Sequence, residues 1–251
     1  MQLWRSHGLG NDYLVLESSD PLTPALVRAV CDRHRGVGGD GVLQPCAPAP
    51  GADFGLRIHN PDGSEAEKSG NGLRIFAHWL VHERGAPASL AVSTPGGRVT
   101  CAVVGNHVTV DMGPARLWGP ETIVSHEAWR VDVGNPHAVV FGWREDWREV
   151  GAALESGVPG RTNVQFVEVR EGQAHARIWE RGAGETLSSG SSACAVATVC
   201  VRRGLLPSPV TVVMAGGSLQ IEVGATLRMS GPVEAVGRIE VAPAWLATRA
   251  G

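Results

Sequence analysis

Two stretches of this chain follow one plan. Residues 56–81, LRIHNPDGSEAEKSGNGLRIFAHWLV, lie without a gap over residues 176–201, ARIWERGAGETLSSGSSACAVATVCV, each position displaced by 120. Arg57 falls on Arg177, Ile58 on Ile178, Glu65 on Glu185, Ser69 on Ser189 and Gly70 on Gly190. Apolar residues then recur at Leu73, Phe76, Ala77, Leu80 and Val81, and at Ala193, Val196, Ala197, Cys200 and Val201. That is the i, i+3, i+4, i+7, i+8 spacing of a buried helix face. Each copy reads as a strand, a polar glycine-containing loop and a helix that starts at a serine. A chain built from two such copies is expected to form two similar lobes. The division is expected at 1–113 and 114–251, near DMGPARLWGP (111–120), with the last strand able to return to the N-terminal lobe.

The remaining segments fit an α+β protein in which strands outnumber helices. DYLVLE (12–17), FGLRIHN (54–60), GRVTCAVV (97–104), HVTVDM (107–112), HAVVF (137–141), NVQFVEV (163–169) and VTVVM (210–214) have the β-branched character of strands. TPALVRAVCDR (23–33), with Thr23 as N-cap and Pro24 behind it, and the amphipathic REDWREVGAALES (144–156) are expected to be helices. A formal charge of −3 and the lack of a basic run exclude an electrostatic footprint for nucleic acid. No apolar run is long enough to span a bilayer, so no membrane partner is expected. Five cysteines with no CxxC pair suit reduced thiols and a cytoplasmic protein. A small-molecule ligand fits this balance.

The two serines carry the chemical argument. Each taken alone is an ordinary helix N-cap. Two in register, each followed by glycine at a helix start, point to a pseudo-symmetric site in a cleft between lobes, where helix N-termini favour negative charge. Two equivalent groups across a small ligand suit a nearly symmetric reaction. Racemisation at Cα is one: one group removes the proton from one face while its twin supplies a proton to the other. Cysteine is the residue best fitted to this without a cofactor, because a thiol titrates ~7 units below an alcohol, a gap of ~10 kcal/mol. Placement thus argues for an acid–base pair at positions 69 and 189, and residue identity argues against it. Lys68, the chain's single lysine, abuts Ser69 and is a candidate activator of its hydroxyl, although such a lysine more often points to solvent.

HGLGNDYLV (7–15), RHRGVGGDGVL (33–43), NPDGSEAEKSGNG (60–72), VGNPHAV (133–139), RTNVQF (161–166) and ERGAGETLSSGSSACA (180–195) resemble the diaminopimelate epimerase family, in order along nearly the whole chain. The resemblance implies two similar α+β lobes, each a sheet wrapped around a central helix, with the ligand in a cleft between them. It implies a cofactor-independent epimerase of the LL and meso forms of diaminopimelate, with no metal or pyridoxal group and a homodimer as the candidate assembly. In the family the positions of Ser69 and Ser189 are the two catalytic cysteines. His137 and Glu180 match the polar pair near the reacting carbon. Asn11, Gln44, Asn60, Asn163 and Arg181 match residues that bind the substrate's distal polar groups. Gly70, Asn71, Gly190 and Ser191 match the loops whose N–H groups hold the reacting carboxylate. Ser191 stands for a usual threonine and Ser192 for a usual glycine.

Three explanations of the serines stand side by side: a Cys→Ser pair made to trap ligand, a natural relative with slower or different chemistry, or a binding protein without catalysis. The resemblance also extends to the phenazine-biosynthesis isomerases, which share the fold, lack the cysteines and would use a carboxylate such as Glu180. The Asn60, Asn163 and Arg181 shell favours the diaminopimelate-like ligand. GVGGDG (36–41) matches G-x-G-x-x-G, but it follows a helix and enters a strand, the reverse of a dinucleotide turn. HWLVH (78–82) has the spacing of a zinc motif without its glutamate, so no metal site is expected.

Overall fold

The computed structural model describes residues 1–17 and 22–249. In chain order the first elements are β1 (Gln2–Gly8), β2 (Asn11–Leu16), α1 (Pro24–Cys31), β3 (Val42–Cys46), β4 (Phe54–His59), β5 (Glu65–Ala66), α2 (Gly70–Arg84), β6 (Ser89–Thr94), β7 (Gly97–Val104) and β8 (His107–Gly113). There follow β9 (Arg116–Ile123), β10 (His126–Asp132), β11 (Pro136–Phe141), α3 (Trp147–Ser156), β12 (Asn163–Arg170), β13 (Gln173–Glu180) and β14 (Gly184–Thr186). The chain closes with α4 (Gly190–Arg202), β15 (Val210–Met214), β16 (Gly217–Val223), β17 (Leu227–Pro232), β18 (Glu234–Glu240) and α5 (Pro243–Ala247). It divides into two compact units, Met1–Val110 with Pro232–Gly251, and Asp111–Gly231.

In the first unit β1 lies between β2 and β18, antiparallel to both. The chain then crosses through α1 to β3, parallel to β2, and through α2 to β6, parallel to β4. The second unit repeats these steps. There β10 lies between β9 and β11, α3 carries the crossover to the parallel strand β12, and α4 carries the one to β15, parallel to β13. The repeat thus runs through ten elements, from β1–β8 with α1 and α2 to β10–β17 with α3 and α4, well beyond the stretch where the residues themselves match.

Local sequence explains the turns and caps. Leu9 and Gly10 both have positive φ, which makes the two-residue turn that registers Gly8 against Asn11 and starts β2 at Asn11. Glu171–Gly172 does the same between β12 and β13. Thr23 caps α1 by accepting from the Leu26 N–H at 3.1 Å, with Pro24 at the first helical position. Helix α3 starts three residues later than the amphipathic pattern implies. Arg144 holds the Asp146 carboxylate, so Asp146 ends the preceding turn without giving the helix a side-chain cap.

Each unit sets an outer helix and an inner helix against its strands. The outer helices bury one face: α1 places Val27, Val30 and Cys31 on Leu3, Leu14, Leu16 and Val42, and α3 places Trp147, Val150 and Leu154 on Ala138, Val140, Val164 and Phe166. The inner helices depart from the single apolar stripe read in the sequence. Gly70–Ala77 of α2 and Ser192–Cys200 of α4 are buried on every side. In α4 small residues make this feasible, and Cys194 and Cys200 are inert core thiols, Cys200 pushed up to about 11 by burial. Among the described residues no helix is long and apolar enough to cross a membrane.

Candidate active site

Both inner helices start in the same way. Ser69 and Ser189 are extended N-cap residues, with φ of −138° and −143°. Their Oγ atoms accept from the N–H of Gly72 at 3.0 Å and of Ser192 at 3.4 Å, while their carbonyls accept from Leu73 at 2.9 Å and Ala193 at 3.0 Å. A helix has four N–H groups without intrahelical partners of their own, so those of Gly70 and Asn71, and of Gly190 and Ser191, are left for an acceptor from outside. These are the four positions expected to hold a carboxylate. The positive end of each helix dipole adds to their attraction for an anion.

Around Ser69 the first unit assembles a charged network. Tyr13, the chain's one tyrosine, has its hydroxyl 3.2 Å from Ser69 Oγ. The Asn71 amide donates to Asn11 Oδ1 at 3.0 Å, and Asn11 donates to Asp40 at 2.8 Å. Arg33 bridges Asp40 and Asp12 at 2.7 and 2.6 Å, and Arg5 reaches Asp12 at 2.6 Å. Burial alone would raise the Asp12 carboxyl, but the Arg33 and Arg5 guanidiniums hold it below the usual carboxylate range. Asn11, Gly70 and Asn71 are therefore brought to the cap. Gln44 is buried on β3 with its Oε1 2.8 Å from His59 Nε2, and Asn60 bonds Ser64 at 3.0 Å in the turn after β4. These contacts tie the pair to the β3–β4 hairpin and its following turn.

Around Ser189 the second unit builds a neutral chain instead. Ser191 Oγ lies 3.5 Å from Ser189 Oγ. The Gln165 amide donates to Ser192 Oγ at 3.0 Å and to His137 Nδ1 at 2.9 Å, and His137 Nε2 donates to Asn135 Oδ1 at 2.9 Å. His137 has no exposed surface, and burial pushes its ring down to about 3, so it is neutral near pH 7. Asn163 accepts from the Arg181 backbone N–H at 3.0 Å and donates to the Pro136 carbonyl at 3.0 Å. The exposed Arg181 guanidinium reaches the Gly160 carbonyl at 3.2 Å, and Glu180 accepts from Thr186 at 2.6 Å. His137 is linked to the capping turn through Gln165 and Ser192. Asn163, Glu180 and Arg181 are set on the adjoining strand ends.

Four participants have no role in the sequence reading: Tyr13, Arg74, Gln165 and Glu155. The Glu155 carboxylate fixes the loop that holds Arg181, accepting from Gly182 N–H at 2.7 Å, Trp179 Nε1 at 2.8 Å and Arg161. A cavity of about 220 Å³ in the second unit is lined by Trp143, Trp147, His175, Arg177 and Glu185, and by none of the expected substrate residues. Among the described residues no three His, Cys, Asp or Glu side chains are grouped to hold a metal ion.

A family model described as diaminopimelate epimerase matches residues 3–118 and 130–236. The chain is 40% identical to "Diaminopimelate epimerase 2" of Nostoc sp. over 89% of its own length and 88% of the relative's. It is 38% identical to the diaminopimelate epimerase of Magnetococcus marinus, over 94% of this chain and 95% of the other. Among solved structures, a probable proline racemase from Agrobacterium radiobacter superposes with a TM-score of 0.73 at 16% identity, covering 96% of this chain and 93% of that one. A phenazine biosynthesis protein of the PhzF family from Bacillus anthracis gives 0.72 at 16% identity, covering 96% and 99%. At these identities the structures share the fold.

Proposed function

The chain belongs to the diaminopimelate epimerase family, a family of isomerases, and from that premise we propose that it binds diaminopimelate and serves the interconversion of its LL and meso forms, with positions 69 and 189 as the acid–base pair. The observation that carries this reading is the pair of matched helix caps, each with two first-turn N–H groups left for a carboxylate and a side-chain oxygen at the helix start. In the forward step one of the two groups, as its anion, takes the Cα proton, and the electron pair left on carbon is stabilised by the N–H-bound carboxylate. The other group gives its proton to the opposite face of Cα. The pair then holds one proton in exchanged positions, so the reverse reaction starts from the mirrored state. Asn11, Gln44, Asn60, Asn163 and Arg181 take the distal amino and carboxylate groups, and His137 and Glu180 flank the reacting carbon. The five free cysteines suit a reducing compartment, and we place the protein in the cytoplasm, in lysine and peptidoglycan-precursor synthesis, as a homodimer.

The hydroxyls favour a second reading of the same site. A serine is ~7 pK units less ready to ionise than a cysteine, so the chain as it stands would hold the ligand and turn it over slowly or not at all. Calorimetric titration with LL- and meso-diaminopimelate tests the ligand both readings share. The expected result is saturable binding of both forms, weakened roughly tenfold by Arg181→Ala through loss of a charge-assisted contact. Absence of binding, or a preference for L-proline, contradicts it.

A further inference from the structure

Arg74 is the fifth residue of α2 and has no exposed surface. Its Nη2 donates to Asn71 Oδ1 at 2.6 Å and its Nη1 to the Pro232 carbonyl at 2.8 Å, while its Nε has no partner. Among the described residues no carboxylate pairs with it. A buried charge without a counter-ion is costly, and a neutral side chain could make the same two bonds. Burial lowers the guanidinium only to about 10, so the charge persists at neutral pH. The β1 backbone leaves space for it: a Cβ on Gly8 would lie 2.8 Å from Nη2. In the second unit the matching residue, 120 positions on, is the buried neutral Cys194.

We propose that Arg74 is an electrostatic positioning residue: its uncompensated charge, delivered to the first turn through Asn71, makes α2 the stronger anion-holding cap of the two. It acts together with the helix dipole, which alone is equivalent to about half a charge. The other groups around this turn are the Tyr13 hydroxyl from β2, Lys68, which is adjacent in sequence and lies near the Cys101 thiol of β7, and the Asp12–Arg5–Arg33–Asp40 network, which reaches Asn71 through Asn11. In that network two guanidiniums and two carboxylates offset each other, so Arg74 adds net positive charge to the buried side of the turn. The consequence for catalysis rests on the reading of positions 69 and 189 as an acid–base pair, but the test needs no substrate.

A thiol placed at each cap reports the local potential. In Ser69→Cys and Ser189→Cys proteins, the pH midpoint of iodoacetamide alkylation, resolved by peptide mass spectrometry, gives the thiol pKa at each site. Adding Arg74→Gln is expected to raise the midpoint at position 69 by roughly one to two units and to leave the midpoint at position 189 in place. Adding Arg74→Lys, which keeps the charge but not the forked bond, is expected to leave the thiol of the α2 cap within about half a unit of the parent. Equal shifts at both caps, or no shift at position 69 in a folded Arg74→Gln protein, would reduce Arg74 to a structural brace. If Arg74→Gln does not fold, the lysine variant decides alone: a rise at position 69 despite the retained charge overturns the proposal, and an unmoved midpoint upholds it.

Discussion

The two units build the same backbone around the same capped serine and surround it with different electrostatics, a charged network in the first and a neutral hydrogen-bonded chain in the second. Matching strands by their partners pairs Leu43 with Gln165, which face Ile58 and Ile178, and Tyr13 with His137, each one residue before the Leu14–Val42 and Ala138–Val164 pairs. At Gly72 an added Cβ would lie 3.0 Å from Leu43 Cδ2 and 3.2 Å from Ser69 Oγ. At the equivalent Ser192 a side chain is present, and the residue in the place of Leu43 is the glutamine that bonds it. An apolar pair, Gly72 and Leu43, has become a polar pair, Ser192 and Gln165. Elsewhere one residue pair keeps its identities and changes partners: Arg57 binds Glu65, whereas Arg177 stacks on Trp143 and Glu185 binds Arg148. A repeat therefore fixes where a group sits and leaves its ionisation to the neighbours.

Acid should have the largest effect, through His137 in the second unit and through His59, His78 and Asp12 in the first. His137 titrates near 6.5 in the unfolded chain and near 3 when folded, so the unfolded state binds its proton first. The stability it supports is complete above about pH 6.5 and is lost as pH falls toward 3, at up to about 1.4 kcal/mol per pH unit. His59 and His78, also lowered by burial, and Asp12, held down by its guanidiniums, push in the same direction. The informative quantity is hence the difference between parent and His137→Gln in denaturant unfolding across that window. The variant is expected to lose the slope of one proton, and identical slopes would mean that His137 is accessible to protons in the folded state.

A smaller effect tests the polar pair. Gln165→Leu removes the donor to both Ser192 and His137 and should cost about 2 kcal/mol in urea unfolding. Adding Ser192→Gly, which copies the first unit, should return part of that loss, with a coupling of about 1 kcal/mol. Strict additivity would show that the two side chains do not act as a pair. The smallest effect belongs to Tyr13→Phe, which removes the hydroxyl beside Ser69 and should destabilise the first unit by about 1 kcal/mol. No change would remove Tyr13 from the account of that cap.

How much of the molecule is readable from its residues follows from which distances a sequence encodes. Caps, turns and strand runs are local, so Ser69, Ser189, Thr23 and the strands β2, β4, β7, β8, β11, β12 and β15 are legible as residues in a row. Strand β13 is legible through its match to β4, while β1, β3, β6, β9, β10, β16, β17 and β18 are not. The α3 start differs by three positions because an Arg144 side chain competes for Asp146. Tyr13 is not legible, since it lies 56 residues from the serine it bonds. Its equivalence to His137 is also hidden, because the displacement drifts from 120 to 124 between the inner helices and the second strand of each unit, and only sheet register restores it. Arg74 lies inside the matched stretch but carries no signal there, because an arginine in a helix is ordinarily solvated, and burial is a property of the packed state.

The most direct test of the central claim is proton NMR of LL-diaminopimelate in D₂O, comparing the chain with its Ser69→Cys/Ser189→Cys form. The account predicts that the double cysteine form exchanges the Cα proton and accumulates the meso isomer roughly 10²–10⁴-fold faster than the serine form, the range a positioned acid–base pair supplies. Equal rates in the two proteins, or no exchange in either, would contradict the assignment of positions 69 and 189 as the two groups that move the proton.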